Sequence, residues 1–329
     1  MGIISQRRLA DMLGLSVATI SRALHQDPRV HPQTRDRVQA LLKKQGYQLD
    51  PVVSAGMSKI RRHDFHRETI AWCHDLPRER MPWLKELFAS AETYGNRLGY
   101  KIEHFHFDSP TPKRLARLQK IWTARGIRGV LLGPLGGACR ELVFPSWEGF
   151  TWVAVGNTFK HPDLHSVGRD YHADIQSAIA WLQASGSRRP GFLLDTNIHA
   201  FFRQPMVESA LAHYHRQGAS LAETPYYEFT EGSPDTFAEW MEKQRPDGIV
   251  LTAALGPKLA RFERSIKTLP AALLSPPSRR PRKQELYFTA RYDVIGQAAV
   301  NMLHRLLGNR ESGLPGYKQS VLLSSRRSR

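Results

Sequence analysis

Apolar residues recur at helical spacing near the start of this 329-residue chain. In LADMLGLSVATISRAL, residues 9–24, two short apolar patterns meet at Gly14. Ser5 can cap the first helix and Ser16 the second, and Gly14 stands where a left-handed residue commonly ends a helix. The spacing predicts two helices around a tight turn, which is the helix-turn-helix arrangement.

The second predicted helix has an outer face of small side chains and one arginine. Its inner face holds Ile20, Ala23 and Leu24, and its outer face holds Ala18, Ser21, Arg22 and His25, with Val17 at the boundary. Small side chains let a helix enter the major groove, where Arg22 can bind guanine and Val17 or Ala18 can contact a thymine methyl. An ordinary helical hairpin with a bare surface is the alternative.

A third helix is predicted in HPQTRDRVQALLKKQGY, with Pro32 in its first turn and Gly46 at its end. Its apolar positions are Val38, Leu41 and Leu42. Three helices that close a small core, with basic groups around it, are typical of a DNA-binding headpiece.

The net charge of the chain also favours binding to nucleic acid. The chain has a net charge of +17, and residues 1–62 contain eleven basic and four acidic residues, a net charge of +7. This favours an anionic partner, although a generally basic surface is the alternative. The sequence shows no secretory signal and no run of the roughly 18 apolar residues that a membrane span needs. Two distant cysteines, Cys73 and Cys139, form no disulfide framework. We therefore expect a cytoplasmic protein without a membrane partner.

After residue 67 the pattern changes to short apolar strands that alternate with amphipathic helices. Predicted strands are ETIAWCHD, KIEHFHF, GVLLGP, WVAVGN, RPGFLLD, YYEFT, GIVLT and AALLS, and predicted helices are WLKELFASAETYGNRLG, PKRLARLQKIWTARG and DIQSAIAWLQASG. This alternation predicts parallel sheets that are covered on both faces. The predicted strands and helices are too numerous for one small sheet.

The segment from about Ser5 to Pro51 resembles the headpiece of the LacI/GalR family of bacterial transcription regulators. The resemblance includes GLSVATISRAL, RV, TRDRV and GY. It implies a DNA-binding domain over residues 1–49. It implies base reading by Val17, Ala18 and Arg22, and contacts to the DNA backbone from Ser16, Thr19, Ser21, His25, Val30 and Thr34. His25 stands where the family usually has asparagine, and His31 where a serine or threonine usually caps the third helix.

Residues 50–66 correspond to the hinge of that family. The resemblance implies a helix that orders on DNA, pairs with its copy in a second subunit and inserts a leucine into the minor groove. The matching position is Gly56, within Ala55, Gly56 and Met57. Glycine provides no wedge and weakens a helix by about 1 kcal/mol relative to alanine. Met57 can substitute, and a plain linker without a DNA role is the alternative.

Two later segments, HSVGRDYHADIQSAIAWLQASGSRRPGFLL and GQAAVNMLHRLLGNRESGLPGYKQSVLL, resemble the effector-binding core of the same family. The resemblance implies a periplasmic-binding-protein-like α/β core over 67–329, with two doubly wound parallel-sheet subdomains joined by three chain crossings. We expect subdomain 1 to comprise about 67–165 and 286–308, and subdomain 2 about 166–285 and 309–329. Ligands in such folds bind in the cleft, near the carboxyl ends of the strands.

Three side chains are candidates for an effector site. Asp75 ends the first strand and can accept a hydrogen bond from a sugar hydroxyl. The alternative is that it is a capping residue. Arg203 lies where the family often has a ligand-binding arginine, and Asp195 can pair with it; a solvated helix arginine is the alternative. The chain departs from the family at TAALGP and at AALLSPPSRRPRK, where Pro276 and Pro277 supply no amide donors. Either the effector is unusual, for example anionic and bound by Arg279, Arg280, Arg282 and Lys283, or the pocket has lost small-molecule binding. That basic loop can equally be solvated surface.

No motif for catalysis or for a cofactor is evident. His104 and His106 share one face of a strand, near the CHD sequence around Cys73, but no partner has metal-ligand spacing. We expect no metal, no cofactor and no enzymatic activity. The prediction is a sequence-specific DNA-binding transcriptional regulator, a repressor that binds a near-palindromic operator as a homodimer and responds to a small-molecule effector, such as a sugar or sugar derivative. The alternatives are a ligand-binding cleft protein whose N-terminal helices serve dimerisation, and a regulator whose pocket no longer binds a ligand.

Overall fold

The structure of the protein is a computed structural model that describes residues 6–24, 30–44, 68–76, 81–106, 111–136, 142, 144–159, 161–195, 200–229, 236–251, 265–277 and 280–328. The chain divides into two compact units, Met1–His66 and Arg67–Arg329. Among the described residues, no helix is both long and apolar enough to cross a bilayer.

The N-terminal unit contains three short helices. These are α1 (Gln6–Leu13), α2 (Val17–Leu24) and α3 (Pro32–Lys44). They pack around a core of apolar side chains, namely Leu9, Ala10, Ile20, Ala23, Val30 and Val38. The three helices predicted from the sequence are confirmed, while the expected end positions Ser5 and Gly46 lie outside the described residues.

The larger unit begins with one six-stranded sheet, in which all strands are parallel. In spatial order the sheet is β11-β5-β4-β3-β1-β2. Its strands are β1 (Glu68–His74), β2 (Tyr100–His106), β3 (Gly129–Leu132), β4 (Thr151–Val155), β5 (His165–Arg169) and β11 (Ser320–Leu323). The helices of this half are α4 (Pro82–Arg97), α5 (Pro112–Ala124) and α9 (Tyr292–Gly308).

A second six-stranded sheet has the order β12-β10-β9-β8-β6-β7, and only β12 is antiparallel to its neighbour. Its strands are β6 (Pro190–Asp195), β7 (Tyr226–Phe229), β8 (Gly248–Leu251), β9 (Ala271–Leu273), β10 (Glu285–Thr289) and β12 (Arg326–Ser328). The helices of this half are α6 (Tyr171–Ala184), α7 (Ala200–His215) and α8 (Phe237–Gln244), with a short 3-10 turn at Leu221–Glu223.

Both sheets have a separate apolar cluster on each face. In the first sheet, α4 and α9 pack on one side of the strands, while α5 and residues 142 and 144–150 pack on the other. In the second sheet, α6 and α7 cover one face and α8 the other. The two sheets and their covering helices form the expected α/β core of two doubly wound subdomains, so this fold prediction is confirmed.

The chain passes between the two sheets three times, but not where the sequence analysis placed the boundaries. The crossings lie at Asp170, at residues 290–291 and at residues 324–325. The expected boundary at 165/166 is displaced because β5 pairs with β4 in the first sheet. The boundary at 285/286 is displaced because β10 pairs with β9, and the one at 308/309 because β11 pairs with β5.

Candidate nucleic-acid interface and effector site

The corner between α1 and α2 is formed by glycine in the conformation that the sequence predicted. Gly14 has a φ of +64°, which L side chains rarely adopt. The amide of Leu15 then donates to the carbonyl of Ala10 at 3.0 Å, and the Leu15 side chain packs against the core of the three helices. This turn fixes the direction in which α2 leaves α1.

Ser16 caps α2 and thereby positions its first turn. The Ser16 hydroxyl accepts from the Thr19 amide at 3.0 Å and lies 2.8 Å from the Thr19 hydroxyl. Because the hydroxyl satisfies an amide that the helix leaves open, it stabilises the start of α2 by about 1 kcal/mol. Ser16 stays exposed at the same time, so its oxygen remains accessible to a ligand.

Burial of Ile20 and Ala23 orients α2 within the three-helix unit. Their side chains are 0% and 1% exposed, whereas Val17 is 44% exposed and Arg22 is also exposed. An exposed valine and an exposed arginine therefore lie on the part of α2 that faces away from the core, and such side chains can contact a thymine methyl and a guanine. Ala18 and Ser21 belong to the same helix, but the structure does not describe their side chains.

Val30 differs from the other candidates for contacts to the DNA backbone. Its side chain is only 6% exposed and belongs to the core, and its carbonyl accepts from Arg35 Nε at 3.2 Å. Only its main-chain amide is left to contact a phosphate, so the Val30 side chain has a packing role. Thr34 is half-buried, and its amide donates to the carbonyl of His31 at 3.0 Å in the first turn of α3.

Several predicted positions receive no structural test. His25 and the hinge residues Ala55, Gly56 and Met57 lie outside the described residues. Among the effector candidates, Asp195 is the last residue of β6 and lies in register with Phe229 of β7. Arg203 lies in the first turn of α7. The structure describes neither side chain, so their pairing stays a prediction.

Asp75 lies directly after β1 and joins two loops. Its Oδ1 accepts from the Gly136 amide at 2.6 Å, and its carbonyl lies 3.2 Å from His106 Nε2. A side chain on Gly136 would lie 3.1 Å from Asp75 Oδ2, so glycine lets the loop approach closely. This favours the capping interpretation of Asp75, with one carboxylate oxygen committed to the loop after β3.

Arg282 in the basic loop is also committed internally. Its Nε donates to Glu285 Oε1 at 2.5 Å, and its amide donates to Glu285 Oε2 at 2.7 Å. Glu285 is only 1% exposed. Of the four residues considered for an anionic effector, Arg282 therefore neutralises a buried carboxylate, and Arg279 lies outside the described residues.

A buried ion pair at the first crossing was missed by the sequence analysis. Arg169 Nε donates to Asp174 Oδ2 at 2.6 Å, and these side chains are only 5% and 2% exposed. The signal was present: Asp174 lies on the apolar stripe of α6 together with Ile175 and Ala178. A carboxylate on such a stripe requires a partner because burial of an unpaired charge is costly.

This pair also contacts the third crossing and the end of β9. Arg169 Nη2 donates to the carbonyl of Leu274, after β9, at 2.7 Å. Asp174 accepts from the Ser325 amide at 2.9 Å and from the Ser325 hydroxyl at 2.7 Å. The Arg169 guanidinium also lies 4.9 Å from the centre of the Tyr171 ring. The network links the ends of β5 and β11, where the chain passes between the sheets, to the end of β9 in the second sheet.

Three imidazoles lie on one face of β1 and β2. The His74 ring centre is 5.6 Å from that of His104 and 5.3 Å from that of His106, and His104 Nε2 lies 2.8 Å from Glu92 Oε1. Burial, followed by the neighbouring histidines, lowers the pKa of His74 to about 4. Among the residues that the structure describes, no group of three or more side chains has the arrangement of a metal site.

Comparison with known proteins agrees with this architecture. Residues 9–50 match the family model "Bacterial regulatory proteins, lacI family". The ribose operon repressor of Bacillus subtilis (strain 168) is 32% identical over 111 residues, which is 34% of this chain and about a third (32%) of that protein's length. Two solved structures are similar over nearly the whole chain. A lac repressor dimer bound to operator and the anti-inducer ONPF has a TM-score of 0.54, with 14% identity over 100% of this chain and 98% of that one. A complex of the transcriptional regulator CelR with cellobiose also has a TM-score of 0.54, with 15% identity over 99% and 98%. At such identities the two structures establish a common fold.

Proposed function

We propose that the chain belongs to the lacI family of bacterial regulatory proteins and is a sequence-specific transcriptional repressor, because residues 9–50 match the model of that family and the core has the corresponding fold. It binds a near-palindromic operator as a homodimer, and a ligand in the cleft of the core modulates its affinity. Its role is regulatory rather than enzymatic, and it acts in the cytoplasm.

The outward face of α2 carries this proposal. Ile20 and Ala23 hold the helix on its core, and Val17 and Arg22 extend away from it. A helix pair that served only for dimerisation would have an apolar outer face, whereas this face combines one arginine with small side chains. Such a face fits the major groove and can distinguish base pairs there.

The individual roles follow from that placement. We assign base reading to Val17, Ala18 and Arg22, and contacts to phosphates to Ser16, Thr19, Ser21, His25 and Thr34, with Val30 contributing its main-chain amide. Residues Ala55, Gly56 and Met57 of the hinge contact the minor groove. Phosphate contacts fix the register of the protein on the duplex, and the base contacts provide the specificity.

Ligand control requires that the two subdomains change their relative orientation. The three crossings are the places where such a hinge motion can occur. A ligand shifts the equilibrium only by its different affinity for the open and closed states. The names of the similar proteins, with ribose and cellobiose among them, support a sugar or sugar derivative as effector, with Asp75, Asp195 and Arg203 as its candidate contacts.

Selection of binding sites from random duplex DNA tests the DNA-reading role. The purified full-length protein should select a near-palindromic motif with a fixed half-site spacing. Arg22→Ala should weaken binding to the selected site by roughly 1–3 kcal/mol and relax the preference at one base position. The exposed Asp36→Ala variant on α3 provides a control in the same unit. Equal affinity and selectivity of the Arg22→Ala variant would refute the assignment.

The effector is sought by release of the selected duplex in the presence of monosaccharides, disaccharides and sugar phosphates. The assigned cleft is supported if a sugar releases the duplex from the wild-type protein but not from Arg203→Ala. The variant must at the same time keep its operator affinity in the absence of ligand. If no compound changes the affinity, and none raises the melting temperature of the core, the pocket has lost small-molecule binding. The DNA-binding proposal is unaffected by that outcome.

A further inference from the structure

Helix α5 exposes a row of positive charge on the core, far along the chain from the DNA-binding helices. Its sequence, PKRLARLQKIWTA, contains no acidic residue. Leu115 and Trp122 are buried against the sheet, whereas Lys113, Arg117 and Lys120 are exposed. These three lie at positions i, i+4 and i+7, so they form one stripe along the helix.

This arrangement is unfavourable for an isolated helix. Like charges at i,i+3 and i,i+4 repel each other. Lys113 also lies in the first turn, beside the Thr111 cap, where the helix dipole favours negative charge. Both effects would be relieved by an anion that lies along the stripe.

Two cations that follow α5 closely in the chain are neutralised by carboxylates. Arg125 donates to both oxygens of Glu103 at 2.6 and 2.7 Å, and Arg128 donates to Glu68 at 2.7 Å. Within the described part of the chain, by contrast, no acidic group lies within ion-pairing distance of Lys113, Arg117 or Lys120. Among the described residues, the stripe is therefore positive charge without a counter-ion.

We propose that the stripe of Lys113, Arg117 and Lys120 on α5 is a second DNA contact, which binds the phosphate backbone of duplex DNA without regard to sequence. The proposal rests on the function proposed above, because the headpiece holds a duplex and so raises the local concentration of phosphate at the core. The stripe extends about 10 Å along the helix. Its lysines bind phosphates as point charges, and such contacts carry no base information.

The composition of this face favours duplex DNA over other partners. The only aromatic residue of α5, Trp122, is 0% exposed, so the face offers no platform on which unpaired bases can stack, as single-strand binders use. It also exposes no large apolar side chain of the kind that forms the centre of a protein interface. The exposed face of α5 can therefore bind a partner through its positive charge, which is complementary to the regular array of phosphates in duplex DNA.

The test compares two triple variants of the full-length protein with equal loss of charge. One is Lys113→Gln/Arg117→Gln/Lys120→Gln. The control is Arg216→Gln/Lys243→Gln/Lys267→Gln, which removes three exposed cations from the other half of the core. Affinity for a random-sequence duplex is measured between about 50 and 200 mM salt, because each phosphate contact contributes about −0.9 to the slope of log affinity against log salt.

We expect the stripe variant to lower the magnitude of that slope by about two to three and the affinity at the lowest salt by roughly tenfold, with a much smaller change in the control. Equal effects of the two variants would overturn the proposal, because the stripe would then contribute only overall charge. A loss confined to single-stranded RNA or to an acidic peptide would overturn it in favour of another partner.

Arg22→Ala separates this proposal from the function on which it rests. On random-sequence DNA, Arg22→Ala should keep most of the salt slope, whereas the stripe variant should not. If Arg22→Ala has no effect on any selected site, the assignment of base reading to Arg22 is refuted, yet the difference between the two triple variants still decides the role of the stripe.

Discussion

Removal of the Asp174 carboxylate should strongly destabilise the core. In the folded protein this group accepts three hydrogen bonds, from Arg169 Nε at 2.6 Å, the Ser325 amide at 2.9 Å and the Ser325 hydroxyl at 2.7 Å. Asp174→Ala leaves the Arg169 charge buried without its counter-ion and leaves both Ser325 donors without an acceptor. Loss of one partner of a buried pair costs about 3–5 kcal/mol. That is a large part of a typical unfolding free energy of about 5–15 kcal/mol.

Urea unfolding followed by tryptophan fluorescence measures this loss, since Trp72, Trp122 and Trp152 are buried in the first subdomain. The double variant Arg169→Met/Asp174→Leu removes both charges and should recover most of the stability, because an apolar pair avoids the cost of burying ions. Asp163→Ala removes an exposed partner of Lys318 and should cost at most about 1 kcal/mol. A loss below about 1 kcal/mol for Asp174→Ala would refute the reasoning, because water would then have to reach Arg169.

Three further predictions concern other parts of the chain. Gly14→Ala should destabilise the headpiece by about 1 kcal/mol through its left-handed backbone alone, since no atom lies within 4 Å of the added methyl; hydrogen exchange of the α1–α3 amides measures this, and unchanged protection would contradict it. The pKa of His74 is lowered to about 4 in the folded core, whereas an unfolded histidine has a pKa of about 6.5. Between these two pH values the unfolded chain therefore binds more protons than the folded protein. Stability should therefore fall as the pH is lowered from about 6.5 to 4, by up to about 1.4 kcal/mol per pH unit. His74→Phe should flatten that part of the stability profile, and identical profiles would disprove the role of His74. Gly56→Leu should tighten operator binding through the hinge; no change in affinity or in DNA bending would show that this hinge does not act on the minor groove.

The headpiece was predictable because its determinants are local. Gly14 at the corner, Ser16 at the cap and the spacing of Leu9, Ile20 and Val38 specify three helices without reference to the rest of the chain. The inward orientation of Val30 was not predictable in this way. It depends on contacts between residues of separate helices, and a single apolar residue in a loop has no period.

The sequence predicted individual strands of the core, but it did not predict where one subdomain ends and the other begins. The strand pattern identified β1 to β4 and β6 to β9, because each is a short apolar run. Membership in a sheet is a different property: β11 joins β5 across about 150 residues of sequence, and no local pattern contains that information. For the same reason the Arg169–Asp174 pair and its bond to Leu274 were missed, although the polar position on the apolar stripe of α6 required a partner.

The two strands β11 and β12 have a consequence for synthesis on the ribosome. Residues 320–328 provide an edge strand to each sheet, and these two strands come after all the others in chain order. The headpiece, built from contacts within residues 9–38, can fold as soon as it leaves the exit tunnel, because domains generally fold as units from the N-terminus. A nascent or prematurely terminated chain therefore carries a complete DNA reader on a core in which both sheets lack a strand. A nonsense mutation shortly before residue 320 should accordingly produce a protein that competes for the operator but is insensitive to the effector.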